Sequence, residues 1–242
     1  MTGEVLTERL RLVPIGLEQV ADLVTIHQDA WIAQWYAGQW PAARAQEFAL
    51  ACARGWSVDG VAKWIAYGRR TGELVGRGGL SRMTEDAVRS QVAVLVGPAW
   101  QEQPLELGWA VREEFRGRGL AMEIGRAGLG FAFGALGAES VVSFTERHNR
   151  ASRDVMERLG MRSAGEIMSR GLIEGRSGEH DNAPFALYAV GRGGDAIGGP
   201  GGRGSFGADV GGQAVEADGE GGQVGLGESG SEPGVEGDRG LP

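Results

Sequence analysis

A glycine-containing turn is the stretch of this sequence whose residue types and spacing best suit binding chemistry. An apolar segment, residues 105–111, precedes the turn at 116–121, which reads RGRGLA. From Leu120 onward, apolar residues recur at spacings of three and four, as on one face of a helix. A strand, a glycine turn and a helix N-terminus in that order present unpaired backbone N–H groups and a positive dipole end to an anion. The sequence therefore predicts an anion-binding loop at 116–121.

Two common glycine-rich loops do not fit this turn. A dinucleotide fingerprint requires G-x-G-x-x-G, but Met122 occupies the third position after Gly117 and Gly119. The phosphate loop of nucleoside triphosphatases ends in Gly-Lys-Ser/Thr, and the only lysine of this chain is Lys63. Both nucleotide-binding interpretations are therefore excluded.

Three patterns, in a fixed order along the chain, do fit a known family. The turn matches R-x-x-G-x-A through Arg116, Gly119 and Ala121. A second segment has Asn149, Ala151 and Ser152 followed by Leu159, Gly160 and Met161, and residues 8–12 read ERLRL. Together they resemble the GNAT superfamily of N-acetyltransferases, closest to the branch that acetylates the N-terminal alanine or serine of ribosomal proteins. Met161 stands where the family has an aromatic residue, and the resemblance extends over residues 1–192.

The resemblance implies a fold, a co-substrate and a set of binding residues. The fold would be an α/β fold with a mixed, largely antiparallel sheet and helices on both faces. The co-substrate would be acetyl-coenzyme A, with its pyrophosphate on the glycine turn, its pantetheine arm along the preceding strand and no metal involved. The cofactor-binding residues would be Trp109, Ala110, Val111, Arg116, Gly117, Arg118, Gly119, Leu120, Ala121 and Asn149. Asn149 is also in the position of a helix N-cap, a role compatible with binding.

Two residues are candidates for proton transfer during catalysis. Glu106 lies on the strand that would run beside the thioester, so its carboxylate could accept the amine proton, directly or through water. Related enzymes have a tyrosine seven residues after the motif asparagine, as proton donor to the leaving thiolate, but Met156 occupies that place here. Ser152 is the nearest hydroxyl within the motif. Glu106 could equally be an ordinary carboxylate near a strand end, and Ser152 a packing residue of the first helical turn.

The surrounding elements follow from periodicity and turn signals. Strands are predicted at 6–14, 63–67, 73–80, 140–145, 163–173 and 184–190, helices at 17–26 and 42–54, and further helices beginning at Leu120 and after Asn149. Within the long connection 81–103, residues 91–96 are predicted to form an extra strand. The aromatic residues Trp31, Trp35, Tyr36 and Trp40 either pack in the core or line the acceptor pocket, and the pattern leaves both alternatives open.

Composition separates the C-terminal fifth from the rest. Residues 193–242 contain nineteen glycines, nine Asp or Glu and two Arg, so they carry −7 of the net charge of −8. A segment of this kind has too little apolar surface to offset its ordering entropy, and we predict a disordered acidic tail after an acetyltransferase domain at 1–192. A nearly neutral domain argues against a nucleic-acid partner. We predict a cytoplasmic protein with no membrane partner, for three reasons. The single Cys52 cannot form an intrachain disulfide, the N-terminus lacks the basic n-region of a signal peptide, and no apolar run is long enough to span a bilayer.

The predicted activity is transfer of an acetyl group from acetyl-coenzyme A to a primary amine by direct attack, with a protein N-terminal α-amine favoured. A small-molecule amine such as an aminoglycoside is the alternative acceptor. A third interpretation is a non-catalytic acyl-coenzyme A-binding module, which Met156 in place of the tyrosine keeps open. A homodimer is an open alternative for the assembly.

Overall fold

One mixed sheet forms the centre of the molecule. The computed structural model describes residues 3–97 and 99–193, so residues 194–242 of the predicted tail lie outside the described residues. Within them the sheet has eight strands in the order β1-β2-β3-β4-β5-β6-β8-β7. The strands are β1 Val5–Leu6, β2 Leu10–Pro14, β3 Lys63–Gly68, β4 Leu74–Arg82, β5 Leu105–Val111, β6 Ser140–Glu146, β7 Arg162–Leu172 and β8 Glu179–Gly191. Of the pairs between neighbouring strands, only β5 with β6 is parallel.

Helices cover both faces of this sheet, as the resemblance implies. In the described part of the chain they are α1 Val20–Gln28, α2 Ala30–Ala33, α3 Ala42–Val58, α4 Asp86–Val96, α5 Ala99–Glu102, α6 Leu120–Gly130 and α7 Arg150–Arg158. Helices α1, α2 and α3 pack on one face, where Ile65 and Ala110 contribute to their core. We call this the first face. Helix α6 packs on the opposite, second face against β2, β3 and β5.

The predicted strand at 91–96 is wrong, because this segment is the second half of helix α4. Val88, Val92 and Val96 recur every four residues, and all three are buried. They pack against β6, β7 and β8 on the first face. After Gln91, the apolar run at 92–96 has five residues and no clear period of its own, and the helical spacing is visible only when the window begins at Asp86.

Close packing accounts for two of the glycines in helix α6. A Cβ atom on Gly125 would lie 2.5 Å from a methyl carbon of Leu159, and one on Gly128 would lie 2.5 Å from a methyl carbon of Leu107. Helix α6 therefore sits directly on α7 and β5, and the contact offsets the roughly 1 kcal/mol that each glycine costs in a helix. The helix continues as a π-helical turn, Phe131–Ala135, before Gly137 takes a positive φ of 66°.

Candidate active site

Strands β5 and β6 separate beyond a single point of pairing. Glu106 of β5 is in register with Val142 of β6, and the next strand on the other side, β4, pairs with all seven residues of β5. From Gly108 to Val111 the edge of β5 that faces β6 therefore has no strand partner. This open edge includes Trp109, Ala110 and Val111, the residues predicted to pair with a pantetheine arm. An extended amide-containing chain fits such an edge in the way an added strand does.

The glycine turn leads from the end of β5 to helix α6. Buried Phe115 and Leu120 anchor its two ends, while residues 116–119 are exposed. Gly117 and Gly119 have φ values of 71° and 75°, in the left-handed region that favours glycine. Gly119 is the N-cap of α6, and no side chain caps the helix. The first backbone N–H groups of α6 are thus directed at solvent beside an exposed turn, which fits a pyrophosphate.

Arg9 fastens this turn to the beginning of the chain. Its Nη1 donates to the carbonyl oxygen of Arg118 at 2.7 Å, and its Nε donates to Oε2 of Glu123 in the first turn of α6, also at 2.7 Å. The hydroxyl of Thr7 and the backbone N–H of Arg9 donate to the other carboxylate oxygen of Glu123. Partial burial alone would raise the pKa of Glu123, but these hydrogen bonds lower it below its usual value. The conformation of the turn therefore depends on residues of the ERLRL segment, a role that the sequence analysis did not assign.

The two arginines of the turn stack on aromatic rings. The guanidinium carbon of Arg116 lies 3.2 Å from the centroid of Trp31, and that of Arg118 lies 5.4 Å from the centroid of Phe115. Both arginines remain exposed, so their N–H groups are available to an anion.

Asn149 caps helix α7, as predicted. Its side-chain oxygen accepts a hydrogen bond from the backbone N–H of Ser152 at 3.2 Å, and Asn149 is only 6% exposed. Ser152 lies in the first turn and is half-buried. Met156 is buried in the core on the second face, so the position of the family tyrosine holds an apolar packing residue.

Glu106 forms an ion pair that the sequence did not reveal. Its Oε2 accepts hydrogen bonds from Nζ of Lys63 at 2.7 Å and from the hydroxyl of Ser81 at 2.9 Å. Nζ of Lys63 also donates to the carbonyl oxygen of Gly79. Burial lowers the pKa of Lys63, and the neighbouring Glu106 carboxylate opposes that effect. Gly108 leaves room for the pair, because a Cβ atom there would lie 2.8 Å from Oε1 of Glu106.

Of the four aromatic residues of 31–40, Tyr36 and Trp40 pack in the core, while Trp31 and Trp35 contact the glycine turn and His148. Trp40 is 4% exposed and stacks on His27 inside the first-face core, with Tyr36 packed edge-on against both rings. Trp31 and Trp35 are half-buried instead. Trp31 contacts Arg116 of the turn, and Trp35 contacts His148, one residue before Asn149. The pair therefore reaches both sides of the opening between β5 and β6.

The comparisons with known proteins agree with this geometry. The sequence profile described as the acetyltransferase (GNAT) domain matches residues 9–162, and the chain belongs to this family. It is an acetyl-coenzyme A-dependent N-acetyltransferase.

The matches to solved structures with the same fold cover nearly the whole length of those structures. A GNAT-family acetyltransferase from Bacillus anthracis is 16% identical, with a TM-score of 0.56, and the match covers 78% of this chain and 98% of that one. The ribosomal-protein-S5-alanine acetyltransferase from Vibrio fischeri is 13% identical, with a TM-score of 0.57 and coverages of 78% and 96%. RimL, a ribosomal L7/L12 α-N-protein acetyltransferase in complex with coenzyme A, is 16% identical, with a TM-score of 0.57 and coverages of 79% and 98%.

Two further properties concern the described residues alone. Within residues 3–97 and 99–193, no helix combines the length and the apolar character needed to cross a bilayer. The same residues contain no group of three or more His, Cys, Asp or Glu side chains placed to hold a metal ion.

Proposed function

We propose that this protein acetylates the N-terminal α-amine of a protein or peptide. The observation that carries the proposal is the open edge of β5, the strand that carries Glu106, beside the uncapped N-terminus of α6. The acceptor class also has support from the fold, because two of the structures that share it are named as acetyltransferases of ribosomal proteins, one of them of an α-amine.

The turn and its flanking strand would hold the co-substrate. Backbone N–H groups of residues 117–121 would bind the pyrophosphate, with Arg116 and Arg118 adding charge-assisted hydrogen bonds. The free edge of Trp109, Ala110 and Val111 would pair with the pantetheine arm and place N–H groups against the carbonyl under attack. Bound acetyl-coenzyme A supplies an acetyl thioester, from which the acceptor nitrogen takes the acetyl group while coenzyme A leaves as its thiol.

An α-amine is the acceptor that this site could activate with least help. The nitrogen must be neutral to attack, and an α-amino group has a reference pKa of about 7.7–8.0 against about 10.4 for lysine. Glu106 would accept the proton that the acceptor loses, and Oε1 is the oxygen not engaged by Lys63 or Ser81. Ser152 is the remaining candidate for a donor to the leaving sulfur.

The direct test is release of free thiol from acetyl-coenzyme A across a panel of acceptors. The panel would contain peptides with free and blocked N-termini, peptides whose only amine is a lysine side chain, polyamines and aminoglycosides. We expect turnover with free N-termini and none with the blocked peptides. Preferential turnover of polyamines or aminoglycosides would assign the enzyme to small-molecule amines instead, and thiol release that no amine stimulates would overturn both assignments.

A further inference from the structure

A buried arginine on the first face has no carboxylate partner in the described part of the chain. Arg77 lies in β4 and is 5% exposed. Its Nε donates to Nε2 of His27 at 2.8 Å, and its Nη2 donates to the hydroxyl of Tyr36 at 2.9 Å. None of the salt bridges formed by residues 3–97 and 99–193 involves Arg77. A buried charge without a counter-charge is destabilising, so an anion supplied from outside the fold would compensate it.

Aromatic rings surround the guanidinium of Arg77, and a second arginine, Arg44, lies against one of these rings. The guanidinium carbon of Arg77 lies 4.8 Å from the centroid of Phe48 and 5.5 Å from that of Trp40. The guanidinium carbon of Arg44 lies 4.8 Å from the Trp40 centroid, and Arg44 forms no salt bridge with any described residue either. Cation–π contacts stabilise both charges without neutralising them.

Arg77, Arg44, His27, Tyr36, Phe48 and Trp40 form a cluster on the first face. This cluster also contains buried hydrogen-bond donors without acceptors. Because Nε2 of His27 accepts from Arg77, the proton of the neutral ring is on Nδ1. Nδ1 of His27 and Nε1 of Trp40 are buried, and neither has a partner among the described residues. Burial, followed by the charges of Arg77 and Arg44, lowers the pKa of His27, so the ring stays neutral and adds no further charge. Unpaired donors beside uncompensated cations are what a carboxylate, with its two acceptor oxygens, would satisfy.

The position of the cluster relates it to the acceptor. Arg77 is in register with Ala110, which belongs to the open edge of β5. Side chains of directly opposite residues project from the same face of a sheet, so Arg77 and Ala110 share the first face with Glu106. Strand residues rise about 3.3 Å each, so Ala110 and Glu106 are about 13 Å apart along β5, a distance that an acidic side chain within the first three residues of an extended acceptor can span. Ala37, in the segment that carries Tyr36 across the cluster, has a positive φ of 54°, unlike any other described non-glycine residue.

We infer that Arg77, with His27 and Trp40, binds a carboxylate of the acceptor and makes the enzyme selective for amines with a carboxylate close by. This inference rests on the proposed function and names its acceptor more narrowly, as an N-terminus with an acidic residue among its first three positions. The geometry assigns this selectivity to the cluster and leaves proton transfer to Glu106.

The test compares acceptor pairs that differ only in the carboxylate. Peptides carry Asp or Asn at position 1, 2 or 3, and kcat/KM is measured with the full-length protein. At one of these positions we expect the Asp peptide to be preferred by about 10- to 100-fold, the usual range for a hydrogen-bonded buried ion pair. Calorimetry with the N-acetylated product peptides in the presence of coenzyme A should show the same preference without turnover.

Arg77→Met should reduce the Asp-to-Asn ratio to about one, whatever its effect on the absolute rates. Arg70→Met, in the exposed β3–β4 turn, is the matched control and should leave the ratio as in the wild type. Arg77→Lys keeps the charge but loses the planar fork, so an intermediate ratio is expected. Should Arg77→Met fail to fold, two measurements still test the selectivity. They are the Asp-to-Asn ratio of the wild type and the same ratio in Tyr36→Phe, which lacks the hydroxyl that accepts from Arg77.

Equal kcat/KM for Asp and Asn peptides at all three positions would overturn the inference while leaving N-terminal acetylation intact. Turnover of small amines but of no peptide would overturn the proposed acceptor instead. The carboxylate would then be tested with glycine against glycinamide, where equal rates again contradict the role of Arg77.

Discussion

Nζ of Lys63 lies 2.7 Å from Oε2 of Glu106, which joins the only lysine of the chain to the carboxylate that we propose as the base. The side chains are 9% and 18% exposed, so the pair is largely removed from water. The ion pair holds the carboxylate of Glu106 in a fixed position. Any variant of Glu106 that removes the carboxylate leaves the ammonium of Lys63 uncompensated.

Glu106→Gln is expected to lower turnover at pH 7 by about 10²- to 10⁴-fold, the usual contribution of general base catalysis, with coenzyme A affinity retained. The loss should shrink at higher pH, because the acceptor amine then arrives neutral, and it should be larger for a lysine-like acceptor than for an α-amine. Kinetics across the pH range would show this. Wild-type rates throughout that range would remove Glu106 from the mechanism.

The same substitution should destabilise the fold by about 3 kcal/mol, since breaking a buried ion pair from one side strands the other charge. The double variant Lys63→Met/Glu106→Gln separates the two effects. It should recover most of the stability in urea unfolding but none of the turnover. A double variant that regained activity together with stability would show that Glu106 acts only through the fold.

Gly119→Val should abolish coenzyme A binding, because a side chain at this left-handed position changes the backbone of the turn at the proposed pyrophosphate site. Gly175→Val is the matched control. Gly175 has a nearly identical φ of 76° but lies in the β7–β8 connection, and no atom lies within 4 Å of its added Cβ. The two variants should lose similar stability, and only the first should lose binding by titration calorimetry. Unchanged affinity in folded Gly119→Val would contradict the assignment of the loop.

Asn149 has a capping role that can be separated from a binding role. Asn149→Ser retains a good N-cap, so its melting temperature should stay near that of the wild type, whereas Asn149→Ala should lose about 1 kcal/mol. If the amide also contacts the pantetheine arm, both variants should bind coenzyme A more weakly. Equal affinity in the serine variant would restrict Asn149 to the cap. Ser152→Ala should keep the turnover and pH profile of the wild type if Ser152 only packs the helix, and a loss of turnover with coenzyme A affinity retained would identify it as a proton donor.

Glu146 provides a pH-dependent prediction of stability. It ends β6 and is 3% exposed, and burial raises its pKa from 4.5 to about 7, with Glu179 adding to the effect. A raised pKa in the folded state means that this group favours folding fully below pH 4.5 and loses that contribution as the pH rises through 7. Glu146→Gln should therefore be more stable than the wild type at pH 8, by up to about 3 kcal/mol, with no advantage near pH 4. Exposed Glu174→Gln is the control, and parallel melting curves for the two variants would contradict the argument.

Short-range patterns account for the parts of the site that the sequence predicted. The turn at 116–121 and the cap at Asn149 each depend on a few consecutive residues with definite backbone preferences, and both are present. The strands from β2 to β8 also follow local alternation and turn signals. Helix α4 is the exception, because the predicted strand considered only its last six residues.

Contacts between distant segments could not be derived in this way. Lys63 and Glu106 are 43 residues apart, and they meet because β3 pairs with β4 and β4 with β5 in one specific register. Arg9 reaches Glu123 across 114 residues for a similar reason, since α6 packs over β2. An amino-acid sequence determines by itself the period of each element and the conformation of each turn, and here it also determined the family. Only the tertiary structure decided three features: the register of the strands, the packing of the helices and the separation of β5 from β6. They depend on how apolar faces fit together across the whole sheet.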